Sequence, residues 1–239
     1  MDTYRKNTLG QNLEIVRERI IRAAIKSGRD PDDITLVVVT KGHSAVVIKA
    51  LYELGVRQIG ESYLKEALFK QELLGDYEID WHMIGSIQSG KVRQIANSFN
   101  TVHSVDRISL ANNLEQRALQ IPKNISVYLE LNLSGEKTKS GWSIKDEADY
   151  PQLIEDVKEI NRMSALTING IMTMAPYSSN PEDSRQYFQK MRFIRDVLMD
   201  EFPQENITGL SMGMSGDFEV AIEEGATVLR IGTAIIGER

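Results

Sequence analysis

Lysine, arginine, serine and glycine at the ends of apolar runs are what this chain offers for chemistry. In LVVVTKG, residues 36–42, a run suited to a buried strand leads straight into Lys41. A lysine there either reaches solvent past a finished strand or stands at a pocket mouth as an amine nucleophile that forms an imine. Further on, SMGMSGDFEVAIEEG (211–225) sets glycines and serines ahead of a helical pattern. Backbone amides at such a turn bind anions, with Gly216 allowing close approach and Ser215 adding a hydroxyl. RIGT (230–233) adds Gly232 and Thr233 as further donors and places Arg230 on an apolar strand. A guanidinium near a lysine penalises the ammonium form, and the neutral amine is the form that attacks a carbonyl. A pocket arginine also needs a counter-charge, for which Glu61 and Glu130 are the candidates.

The elements that must position these residues alternate regularly. Helical spacing marks 11–27, with Gly28 as its stop. Strand 34–41 follows, putting Val37, Val39 and Lys41 on one face. Then come helix 44–54 with Ser44 as cap candidate, strand 57–61, helix 62–74, strand 80–85, helix 89–98, strand 101–105 and helix 107–119. The second half reads as strand 125–133, helix 149–162, strand 167–174, helix 181–201, strand 208–213, helix 217–224 and a last strand, 227–236. Eight strands separated by helices imply parallel pairing with right-handed crossovers. The count fits a single (β/α)8 TIM barrel with an extra N-terminal helix, with an open eight-stranded sheet as the alternative. No Pro/Gly/Ser-rich linker interrupts the chain, so 1–239 reads as one domain. In such barrels, function sits at the C-terminal ends of the strands, and phosphate is often held after strands seven and eight. The turns carrying Ser215 and Gly232 occupy those places. The longest irregular piece, 134–151, lies on the same side and reads as a solvated loop.

Composition narrows the classes further. The chain has 239 residues, a net charge of −6, no cysteine and three histidines. That charge argues against a nucleic-acid footprint. The absence of cysteine removes disulfides and thiol chemistry and fits a cytoplasmic protein. The histidines stand at no metal-ligand spacing. No apolar run is long enough to span a membrane, and the N-terminal stretch lacks a signal-peptide core. The charged outer helices predict a monomer.

Taken together, VVTK (38–41), GES (60–62), WHMIGSIQ (81–88), VHSVD (102–106), KSG (139–141), GIMTM (170–174), SMGMSGD (211–217) and RIGTAIIG (230–237) resemble the pyridoxal-phosphate homeostasis protein family, relatives of the barrel domain of alanine racemase. The resemblance covers nearly the whole chain and implies an alanine racemase N-terminal-domain type of barrel. It implies that Lys41 holds pyridoxal 5′-phosphate as an internal aldimine, a Schiff base. Arg230 would bond the pyridine nitrogen, Ser62 would stand near the ring, and Ser215, Gly232 and Thr233 would bind the phosphate. The family's members are regarded as carriers or regulators of the cofactor, with apo-enzymes as possible exchange partners. The chain departs from the family pattern at Ser62, where asparagine is usual, at Gly90, where asparagine is common, and at His43, where many relatives have a second lysine. His43 reads as a loop residue.

A carrier is also what the chemistry favours, so no catalytic residue is assigned. Arginine only donates, which leaves a ring nitrogen unprotonated and the ring a poorer electron sink. Racemases of this fold take a second base from another domain, and the chain stops at Arg239, after its last strand. Tyr63, Tyr128 and Tyr177 are the substitutes on offer, each read as a packing or rim residue. A racemase-like enzyme and an imine-forming aldolase on a phosphorylated substrate are the alternatives.

Overall fold

The computed structural model describes residues 3–136 and 138–238. Met1, Asp2, Lys137 and Arg239 of the expected 1–239 domain lie outside the described residues. The strands are β1 (Thr35–Val39), β2 (Gln58–Glu61), β3 (Asp80–Met83), β4 (Thr101–Val105), β5 (Ile125–Asn132), β6 (Trp142–Ser143), β7 (Leu166–Met172), β8 (Gly209–Ser211) and β9 (Val228–Ile231). The helices are α1 (Thr3–Lys26), α2 (Ala45–Glu53), α3 (Leu64–Leu73), α4 (Val92–Ser98), α5 (Ile108–Ala118), α6 (Tyr150–Ile160), α7 (Arg185–Glu201), α8 (Phe218–Glu223) and α9 (Thr233–Ile236). Eight strands run parallel in the order β1, β2, β3, β4, β5, β7, β8, β9, and β9 pairs with β1 to close the barrel. The open-sheet alternative is thereby set aside. The short β6, inside the segment expected to be irregular, adds to β5 from outside.

Alternation along each strand sorts side chains between two cores. Val38 faces outward and packs with Ile48, Leu51 and Ile59 in the large core between strands and helices. Its neighbour Val37 faces inward, in a small cluster with Tyr128, Met172 and Val228. The inner layer is otherwise polar, with buried His103, Ser211 and Arg230.

Several boundaries differ from the sequence reading, and three of them have a local reason that bears on the site. Helix α1 begins before residue 11, because Leu9 is buried in the same core as Leu13 and Val16. It ends as expected, with the amides of Gly28 and Arg29 turned back onto the carbonyls of Ile25 and Ala24. Ser44 stands at the N-cap of α2, but its hydroxyl makes no capping bond. Strand β1 ends at Val39, so Lys41 lies in the turn beyond it instead of on its inner face. The expected strand 227–236 is two elements: β9 ends at Ile231, the chain turns at Gly232, and the amides of Ile235 and Ile236 bond to the Gly232 carbonyl to start α9. An apolar run this short suits strand and helix equally. Helix α1 packs across α8 and α9 through Arg19, bidentate on Glu219 at 2.8 and 2.7 Å, and Asn12, which donates to the Ile235 carbonyl at 3.1 Å.

Candidate functional site

A cavity of about 350 Å³ opens at the C-terminal ends of the barrel strands, and Lys41, Ser62, Ser215, Arg230, Gly232 and Thr233 all line it. Sequence reasoning therefore named six residues from four separate segments that the fold brings to one place. Lys41 is exposed, in a turn continued by Gly42, whose φ of 79° favours glycine. Ser62 follows the buried end of β2 and lies against Gly85, where a Cβ would stand 2.2 Å from the Ser62 carbonyl oxygen. That contact fixes the strand end that carries Ser62.

The turn between β8 and α8 is held by Asp217, which sequence reasoning passed over. One carboxylate oxygen accepts from the Met214 amide at 2.7 Å and the other from the Ser184 hydroxyl at 3.1 Å. The amides of Asp217 and Phe218 bond back to the Met214 carbonyl. Among the described residues, nothing accepts from the amides of Ser215 or Gly216. The Ser215 oxygen accepts from the Ala234 amide at 3.2 Å, which joins this turn to the start of α9 and brings Thr233 alongside. Two unfilled amides and two hydroxyls on one wall form an anion cradle.

Arg230 is buried at 5% exposure and hydrogen-bonded on its inner side. Nη1 donates to the Ser211 hydroxyl at 2.6 Å and Nη2 to the Thr173 carbonyl at 2.9 Å. The bonds continue through the barrel: Ser211 to His103 Nδ1 at 2.9 Å, His103 Nε2 to His82 Nδ1 at 2.9 Å, and His82 Nε2 to the Gln58 amide oxygen at 2.5 Å. Arginine only donates and an amide oxygen only accepts, so with neutral histidines every bond in this chain points away from Arg230. Burial first, then its electrostatic coupling to His82 and to the Arg230 guanidinium, holds His103 well below the usual histidine range, which keeps it neutral. Burial also lowers Arg230 to about 10, opposed by Glu130 and Asp217.

The carboxylate partners expected for Arg230 are corrected here. Glu61 bonds Lys70 at 2.5 Å instead. Glu130 acts on Arg230 only through the field, and burial raises its carboxyl to about 7, with Asp106 raising and Arg230 lowering it. Tyr128 stacks on His103 with ring centroids 4.6 Å apart, and burial pushes its phenol up to about 12. Tyr177 is fully out on the cavity rim and Tyr63 is exposed, so of the three tyrosines only Tyr128 packs inside. His43 is a loop residue, as read, and lines the cavity. Gly90 lies in a helical turn outside the cavity lining. Among the described residues no group of three or more His, Cys, Asp or Glu side chains is arranged to hold a metal ion. An amine, an anion cradle and a donor-only guanidinium around one cavity suit a phosphorylated carbonyl compound with an acceptor atom between its two ends.

Comparisons with known proteins agree with this geometry. The family described as alanine racemase, N-terminal domain, matches residues 11–239. A pyridoxal phosphate homeostasis protein of Aquifex aeolicus is 40% identical, over 96% of this chain and 97% of its own. The Escherichia coli K12 protein of the same name is 36% identical, over 98% and 97%. The solved structure of PipY from Synechococcus elongatus, with PLP bound, superposes with a TM-score of 0.82 at 30% identity, over 96% of this chain and all of that one (100%). An alanine racemase of Clostridium difficile shares the fold, with a TM-score of 0.69 at 16% identity, and this chain covers 57% of it.

Proposed function

Because this chain belongs to the alanine racemase N-terminal domain family, and within it to the pyridoxal phosphate homeostasis proteins, we propose that it binds pyridoxal 5′-phosphate covalently through Lys41 and serves as an intracellular carrier of that cofactor. The observation that carries the reading is the meeting of Lys41, the Ser215–Gly216 turn and Arg230 around one cavity of about 350 Å³. The residues present fit the group. The unfilled amides of Ser215 and Gly216, with the Ser215 and Thr233 hydroxyls, suit a phosphate. Arg230, already anchored on its inner side, has N–H groups left for a ring nitrogen, and Ser62 lines the same cavity.

When bound, the cofactor supplies an aldehyde that an amine can hold and exchange, and a ring that withdraws electrons best when its nitrogen is protonated. The residues of this chain work against the second property. Arg230 would donate to the ring nitrogen and has no proton acceptor to offer. Its own inward bonds go to the Ser211 hydroxyl and the Thr173 carbonyl, and of these only Ser211 passes a bond on, to His103. Tyr177 and Tyr63 are exposed, at 97% and 55%, which leaves both in solvent instead of poised over the cavity as bases. Holding and release thus remain, and carbanion chemistry is disfavoured. The same reading takes the chain as one cofactor-binding barrel, cytoplasmic and monomeric, that exchanges cofactor with apo-enzymes. The absence of cysteine supports the compartment, and the charged faces of the outer helices support the monomer.

Borohydride reduction of the full chain mixed with pyridoxal 5′-phosphate tests it. One phosphopyridoxyl group is expected on the peptide containing Lys41. A label on Lys91 or Lys139 instead, neither of which lines the cavity, would overturn the assignment.

A further inference from the structure

We propose that Lys70 and Glu66, on α3, form a charged clamp that positions Lys41 by holding the backbone on both sides of it. Lys70 is buried at 2% exposure and all three of its protons have acceptors. Nζ donates to the Thr40 carbonyl at 2.8 Å, to Glu61 Oε1 at 2.5 Å and to Glu66 Oε1 at 2.6 Å. The same Glu66 oxygen accepts from the Gly42 amide at 2.6 Å. The residue before Lys41 is therefore held by Lys70 and the residue after it by Glu66, and the two holders are bonded to each other. The His43 amide closes the turn onto the Thr40 carbonyl at 3.0 Å, and the Thr40 hydroxyl donates to Glu61 Oε1 at 2.5 Å.

Stability alone does not account for charge in this place. Burying ions costs more than their pairing returns in many proteins, and apolar side chains of similar volume commonly do as well. Here the second oxygen of Glu61 is buried without any hydrogen-bond partner, and burial pushes that carboxyl up despite the bonds from Lys70 and Thr40. The last ladder bond is from the Thr40 amide to the Gly60 carbonyl at 3.1 Å, and what the cluster provides is anchorage for the turn beyond it. A lysine has a long flexible stem, so the place where its backbone is fixed decides where its amine can reach. When the amine condenses with an aldehyde, a C–N double bond forms and the aldehyde oxygen leaves as water with both amine protons. That step is sensitive to approach geometry.

The inference rests on the reading that Lys41 carries the cofactor, and the test separates the two. Full-length wild type, Glu66→Ala, Glu66→Gln and Lys70→Met are mixed with pyridoxal 5′-phosphate, trapped with borohydride at short times and assayed for label on the Lys41 peptide. In parallel, Lys41 is modified with trinitrobenzenesulfonate in the absence of cofactor, and melting temperatures are recorded. Glu66→Ala is expected to slow labelling about 10- to 100-fold, the scale of a small misplacement of a reacting group. Glu66→Gln, whose amide oxygen still accepts from Gly42, should recover most of the rate, a rescue that loss of charge alone would not allow. Labelling of Glu66→Ala at the wild-type rate overturns the clamp, as does Glu66→Gln no faster than Glu66→Ala. Should Lys70→Met not fold, the two Glu66 variants decide. If wild type takes no label on Lys41, the functional reading fails, and unchanged trinitrobenzenesulfonate reactivity of Lys41 in Glu66→Ala would then reject the clamp independently.

Discussion

Arg230 donates a 2.6 Å hydrogen bond to the hydroxyl of Ser211, and both side chains are buried. The two residues come from neighbouring strands, β9 and β8, and the bond ties the guanidinium to a line of histidines crossing the barrel. Ser211 is the only link between Arg230 and that line among the described bonds.

Ser211→Ala should therefore strand a donor on Arg230 and an acceptor on His103. Each unsatisfied buried group costs about 1–3 kcal/mol. The expected result is a lower urea midpoint together with weaker cofactor binding. Wild-type values for both would show that the hydroxyl plays no part in holding Arg230.

Glu130 provides a pH test. Burial raises its folded carboxyl to about 7 from 4.5. The folded chain then binds the proton more tightly than the unfolded one, so this group's contribution is complete below pH ~4.5 and is lost as pH rises through ~7. Relative to Glu130→Gln, wild type should lose about 3 kcal/mol of unfolding free energy across that window. A difference that stays flat with pH would mean the carboxyl is not held protonated.

Phosphate recognition can be read from vitamer preference. If the Ser215–Gly216 turn holds the phosphate, pyridoxal without phosphate should bind at least about 100-fold more weakly, since each bond to a charged group is worth roughly 1.5–3 kcal/mol. Gly213, at φ 93° and with room for a Cβ only 2.7 Å from that of Ala221, supports this turn. Gly213→Ala should narrow the preference by displacing the turn. Equal affinities for the two vitamers in wild type would remove the cradle from the site.

Amino-acid turnover separates carrier from enzyme. Loaded protein incubated with L- or D-alanine, serine or glutamate should racemise or transaminate them far below about 1 s⁻¹. Sustained turnover at or above that rate would overturn the carrier reading.

The barrel was legible because its strands are short apolar runs between turn residues, and each run proved to contain a strand, the last one running on into α9. Lys41, Ser215, Gly232 and Thr233 were legible because chemistry-bearing residues at strand ends stand out against the apolar pattern. His82, His103 and Ser211 were not. In WHM, VHSV and LSM they look like ordinary strand residues, and only the closed barrel shows that their side chains point inward and meet. Asp217 was hidden similarly, as one more polar residue at a helix start. Lys70 reads as a surface lysine by its helical context, and only the packing of α3 against the Thr40 turn buries it.

The seam between β9 and β1, reinforced by Asn12 reaching Ile235 across 223 positions of sequence, has a consequence for biosynthesis. Lys41 leaves the ribosome early and Arg230 late, and the two line one cavity only once β9 docks beside β1. Contacts so distant along the chain form slowly. A nascent or truncated chain lacking β9 would carry the amine without Arg230 or Thr233, so on the proposed reading cofactor capture would follow ring closure instead of guiding it.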